Sequence, residues 1–386
     1  MSVPAFVTDA FRHLPADARR AREAALQELG QRGLPTTREE DWRYTDLSAL
    51  AARPFGVAPP AVPALAALPG CEALQFVNGR AVGGDLRRSG SVIDAVPSEG
   101  VALLNAALSE QGLVWDAEGT PPQLDLLTWF GGTNDGMAHL RHRLRLAPNA
   151  RVTLILREQG DDASGLATQR FEIELGAGAQ LDFLRLQSYG AGTSALTRFD
   201  AVLGRDASLR YTSLDSGGAL VRHDVNVDLR EPGASAEVNG LMLAAGTAHL
   251  DMHTRIAHRA PHARSREHFR VIARGRSRAV FNGKVVVHEG AVKTDSEQRV
   301  ASLLLSPQAQ INAKPELEIY NDDVKCAHGA TVGQLDETAL HYLRTRGVPE
   351  AEARRMLLSA FAQEVLAPMQ DSPAAPETAH LLAGLA

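Results

Sequence analysis

The 386-residue chain holds only two cysteines, Cys71 and Cys326, too few for a disulfide framework. Long apolar runs are missing: nothing approaches the roughly 20 apolar residues that a membrane span needs. The N-terminal MSVPAFVTDAFRHLPADARR carries no apolar signal-peptide core, so a reducing cytoplasmic location is expected. Excess positive charge is missing too. A formal net charge of −6 argues against a general binder of nucleic acid or anionic membrane, which would show a basic face. The common catalytic signatures are also lacking. FNGKVV offers Gly283 and Lys284 without the upstream glycine or the following Ser/Thr of a phosphate loop. No GxGxxG opens a βαβ unit, HEGAV at His288 is not HExxH, and no GxSxG elbow occurs.

What is present changes character along the chain. Residues 1–75 read as an N-terminal helical region and linker. PADARRAREAALQELGQRG starts a helix at Pro15 and ends it at Gly30 or Gly33, with Ala21, Leu26 and Leu29 inside. Thr36 and Thr37 stand at capping-box spacing before Glu39 and Glu40, followed by the aromatic anchors Trp42 and Tyr44. Five prolines in residues 51–70 mark a meandering connection.

Residues 76–330 read as a β-helix core, best defined over 145–325. FEIEL, DVNVDL and QLDFLRL alternate at strand period. A turn followed by alanine recurs at Ala150, Ala179, Ala207 and Ala236, and again at Ala309. An interval of about 28 residues built only from strands and turns is a solenoid signature, favoured here over a β-sandwich. Residues 331–370 switch to helical period. Leu340 and Leu343 share one face before Gly347; after Pro349, Met356, Leu357, Ala360, Phe361 and Leu366 form a stripe. The tail, 371–386, reads as loose.

Two stretches could hold a metal. HLDMHTRIAHRAPHARSREH contains His249, His253, His258, His262 and His268, but interleaved Arg255, Arg259, Arg264 and Arg266 would repel a cation, so an interface or structural role is favoured. In DDVKCAHGATVG, Cys326 and His328 stand at i, i+2 and point the same way in extended chain, so thiolate and imidazole can share one ion. Two ligands leave a site open. The competing reading has Cys326 filling space and His328 capping the next helix.

AVFNGKVVV, AVKTDSEQ, LLLSPQAQINAKPELEIYNDDVKCAHGATVGQLDE, YLRTRGV and AFAQEVL, with EEDWRYTDL and IAHRAPHARSREHF upstream, resemble the SufB/SufD family of the bacterial Suf iron–sulfur cluster assembly system, in its SufD branch. The resemblance implies a right-handed parallel β-helix between N- and C-terminal helical regions. It implies a non-catalytic scaffold that pairs with the SufB paralogue through the β-helices, or with itself when alone. It also implies that the C-terminal helices dock one SufC ATPase, so nucleotide binding is delegated and FNGKVV is a β-helix turn bending at Gly283. SufB carries Glu-His-Glu and an upstream cysteine; here the phrase is Cys326-Ala327-His328-Gly329, and SEQRVASLLLS has no cysteine. His328, with Cys326 beside it, would therefore share a transient cluster or iron with SufB. No residue reads for or against a flavin. A polysaccharide-acting β-helix enzyme would need carboxylates along one coil face; Asp322 and Asp323 read instead as turn residues.

Overall fold

The computed structural model describes residues 3–14, 16–90, 97 and 99–384, without the side chains of 16–21; Pro15 and the Ala21 side chain thus lie outside it. Period-two patterning becomes strand throughout the middle of the chain, since alternate side chains must face opposite sides. From Leu124 onward consecutive strands do not pair. Each pairs in parallel with the strand two along, so that Arg151, Gln180, Ser208, Ser235, Arg264, Asp295 and Lys325 form one transverse ladder. The chain therefore winds into a parallel β-helix walled by two ten-stranded sheets.

The corner before that ladder sets the repeat. Asn149, Gly178, Asp206, Gly233, His262 and Lys293 all adopt left-handed φ, between 54° and 77°. Each precedes a small buried residue: Ala150, Ala179, Ala207, Ala234, Ala263 and Thr294. The N–H groups of Ala150, Ala179 and Ala207 close the turn on the carbonyls of Ala147, Gly176 and Gly204. Two alanines of the expected row therefore change place. Ala236 pairs with Leu209 inside a strand, two residues past the true corner at Ala234. Ala309 belongs to the opposite corner, in line with Ala248 and Ser277. Spacing alone could not separate alanines two residues apart in GASAE.

Inside the coils, Phe171, Phe183, Phe199 and Tyr211 pack as an aromatic column with neighbouring centroids 4.9–5.5 Å apart. Beside it, the Arg185 guanidinium is enclosed between the carboxylates of Glu158, at 2.5 Å, and Asp215. Gly283 also faces inward, at mid-strand in Arg278–Val287 rather than in a turn, opposite Thr254 and Pro315. Its requirement is space. A Cβ there would collide with Gln298 Nε2 and lie 2.8 Å from the Phe281 ring.

The helical regions cover the two outer faces. Phe6, Phe11, Leu29, Trp42 and Leu103 pack on Met137, Leu166 and Leu196 of the first sheet. The helix Ala16–Arg32 ends where Gly33 turns left-handed, at φ 74°. Half of the expected capping box forms, with Glu39 accepting from the Thr36 N–H at 2.9 Å, but only a 3-10 turn, Glu40–Trp42, follows. On the second sheet, Leu184, Leu186, Leu214 and Leu241 meet Leu358, Ala362, Leu366 and Met369. The buried face of helix Glu350–Gln363 is Ala353, Leu358 and Ala362; Met356 and Ala360 point outward, and Leu357 and Phe361 are half-buried. Adjacent apolar residues made the stripe readable one position off. Residues 371–384, expected to be loose, hold a further helix. Helix Ala375–Ala383 accommodates Pro376 in its first turn, where the missing N–H is harmless, and Glu377 reaches Arg157 at 2.5 Å. Among the described residues no helix is long and apolar enough to cross a membrane.

Because its inner face has no room, Gly283→Ala should destabilise the fold by about 1–3 kcal/mol through overpacking, read as a lowered urea midpoint with unchanged slope.

Candidate functional site at the open coil

The two ends of the β-helix differ. At the first coils the second sheet ends in the antiparallel hairpin of Glu72–Val77 with Arg80–Gly84, while helix Gly100–Leu108 lies on the outer face of the first sheet. At the other end, strands Gln310–Ile319 and Lys325–Gly333 each pair on one side only. The second of these is almost wholly exposed. Their free N–H and C=O groups form a ready template for another chain. Ile319, Tyr320 and Val332, exposed by 42%, 59% and 51%, add apolar surface at the same end.

Cys326 and His328 stand on this last strand, in register with Ser296 and Gln298, and both occupy positions that face the coil interior. The expected pair is thus brought together on one side of an extended strand. Cys326 is half-buried against Val285, Val287 and Leu317, whereas His328 is exposed because no further coil covers it. The following helix, Glu337–Thr345, is capped by Asp336, whose carboxylate accepts from the N–H groups of Thr338 and Ala339. His328 therefore caps nothing. Burial, reinforced by nearby Asp295, pushes the Cys326 thiol up, while the Ser296 backbone opposes the shift. At neutral pH the free protein holds it as a thiol, so a metal would have to displace the proton. Among the described residues no group of three or more His, Cys, Asp or Glu could hold a metal ion.

Behind the pair lie polar groups that the sequence reading missed. Gln298 Nε2 donates to Glu267 Oε2 at 2.6 Å, and both side chains are fully buried. Ser296 Oγ lies 2.8 Å from Ser265 Oγ, which lies 2.9 Å from His258 Nε2. Glu267, Gln298 and His328 share one ladder position, so the coil repeat projected back from His328 was the signal available. Burial raises the Glu267 carboxyl from its usual 4.5 to about 7; the Thr254 and Gln298 side chains, which favour the anion, offset only part.

The histidine-rich stretch is absorbed into internal ties. His253 Nε2 meets Asp251 Oδ1 at 3.0 Å, His249 Nε2 meets Thr45 Oγ1 at 3.2 Å, and His262 occupies a left-handed corner. A cleft of about 810 Å³ lies elsewhere, between residues 32–42 and the outer face of the first sheet. Two of its arginines are already neutralised: Arg198 by Glu99 and Asp200, Arg222 by Asp224 and Asp251.

A β-helix that ends in an antiparallel hairpin on one side and in two parallel edge strands on the other, with a thiol and an imidazole displayed in its last coil, defines the class structurally. The family model described as "SUF system FeS cluster assembly, SufBD core domain" matches residues 129–361. The chain is 32% identical over 371 residues to the iron–sulfur cluster assembly protein SufD of Escherichia coli (strain K12), covering 90% of this chain and 88% of that one. It is 30% identical to a SufBD family protein of Synechocystis sp. over 89% of this chain and 86% of that one. A shorter match, 40% over 152 residues, joins 39% of it to 32% of the chloroplastic protein ABCI7 of Arabidopsis thaliana. The chain belongs to the SufB/SufD family of iron–sulfur cluster assembly proteins.

The raised Glu267 carboxyl fixes a sign. The unfolded chain ionises near pH 4.5 and the folded one near 7, so this group's contribution is full below 4.5 and lost as pH rises through 7. Glu267→Gln should therefore gain on the wild type by roughly 3 kcal/mol between pH 4 and 8, measured by denaturant unfolding at both.

Proposed function

We propose that this chain is a SufD-type, non-catalytic scaffold subunit that helps to assemble iron–sulfur clusters at the edge of its last coil. The observation that carries the reading is the placement of Cys326 and His328 on an edge strand paired on one side only, facing the open interior. Two ligands cannot close a four-ligand site, so the remaining thiolate and carboxylate come from the SufB paralogue docked along that edge. Shared ligation suits a scaffold, which must release what it builds; a closed site would retain its metal. His328 is the principal ligand and Cys326 the lesser one, because His328 is exposed at the open edge while Cys326 is half-buried against Val285, Val287 and Leu317. The same edge serves a homodimer when SufB is absent. The C-terminal helices dock the SufC ATPase through their outer side, where Tyr342 and Met356 are 58% and 45% exposed. The complex works in the cytoplasm.

The test is isolation of the tagged chain from its own cells without oxygen. Co-recovery of a paralogous chain and an ATPase, with iron and acid-labile sulfide, supports the reading; a lone metal-free homodimer counts against it. In the recovered complex, His328→Ala should leave folding intact and sharply lower iron and sulfide content, whereas Cys326→Ala should cost less. Unchanged content in His328→Ala would remove that residue from the mechanism.

A further inference from the structure

We infer that Gln298, seated by Glu267, is a positioning residue that holds the His328 imidazole in one orientation and one tautomer. The inference rests on the reading of His328 as a ligand and adds the residues that prepare it. Glu267, Gln298 and His328 occupy the same ladder position on three successive strands of one sheet, on the inward side. Neighbouring strands in such a ladder lie about 4.8 Å apart, within reach of a glutamine side chain.

The amide of Gln298 is committed at one end only. Its nitrogen donates to Glu267 Oε2 at 2.6 Å, in the preceding coil, while its carbonyl oxygen is buried with no hydrogen-bond partner. The two amide atoms diverge from one carbon, so an amide whose nitrogen turns back presents its oxygen away from Glu267. In the next coil, the residue of the same column is His328; the two are not bonded in this structure, but a turn of the exposed ring would offer the N–H donor that a lone carbonyl requires. The seat itself is shaped: the missing side chain of Gly283 leaves the room that the Gln298 amide fills. An imidazole that binds metal through one nitrogen works best when its other N–H is held by a carbonyl or carboxylate.

The test reads the ring directly. In protein labelled with 15N at histidine rings, the His328 signals are assigned by their loss in His328→Ala. The wild type should show His328 as one dominant tautomer with a slowly exchanging ring N–H. Gln298→Met, which keeps length but removes the amide, should release it to fast exchange between tautomers. Glu267→Gln keeps an acceptor for Gln298 and should retain the wild-type pattern. If Gln298→Met does not fold, Gln298→Asn, which withdraws the amide by one methylene, is expected to release the ring in the same way. Identical ring signals in the wild type and the folded Gln298 variant would overturn the proposal. In the SufB-containing complex, Gln298→Met should lower cluster formation about 10–100-fold, as loss of a ligand's outer partner does. Should His328→Ala leave assembly untouched while the tautomer difference persists, the ligand reading fails and the positioning stands.

Discussion

A parallel ladder between strands two apart in the chain obliges every coil to return to the same place after nearly the same number of residues. Left-handed corners at Asn149, Gly178, Asp206, Gly233, His262 and Lys293 make that return possible, and the small residues behind them let successive turns stack. Once the ladder is in register, residues far apart in sequence become neighbours in columns through the interior. The aromatic column Phe171–Phe183–Phe199–Tyr211 arises in this way, and so does the polar series that runs from Glu267 to His328.

Those columns give the interior a direction. Midway, the buried ion group Glu158–Arg185–Asp215 satisfies its own charges and is sealed on every side. Burying such charge is costly unless it is paired, and here it is. Toward the last coil the interior sets hydroxyl, amide and carboxyl groups, Ser265, Ser296, Gln298 and Glu267, beside Phe269, Phe281 and Val300. No aromatic cap ends it. The coil instead finishes in a half-buried thiol and an exposed imidazole.

The outer faces reinforce the asymmetry. Helical regions from the two termini each cover one sheet with apolar contacts, and at the first coils the second sheet ends in an antiparallel hairpin. The final pair of strands, Gln310–Ile319 and Lys325–Gly333, is left with one backbone edge free along its length. The association proposed at that edge extends the same ladder that builds the protein.

Much of this was legible in the sequence because strand alternation and coil spacing are local, periodic signals. Alternation in FEIEL and DVNVDL determined strands, the recurring interval determined a solenoid, and Cys326 with His328 at i, i+2 determined a shared side for thiol and imidazole. Spacing could not tell Ala234 from Ala236, nor the buried stripe through Leu358 from its neighbour through Met356, since each pair differs by a rotation or shift that only packing resolves. Gly283 read as a bend and proved to be a vacancy for the Gln298 amide, because what a glycine makes room for depends on strands that are distant in the chain. The tertiary structure alone decided that the column behind His328 holds Gln298 and Glu267, and that the end of the coil displaying it stays open. Column membership is fixed by register, and register is fixed by all the coils together.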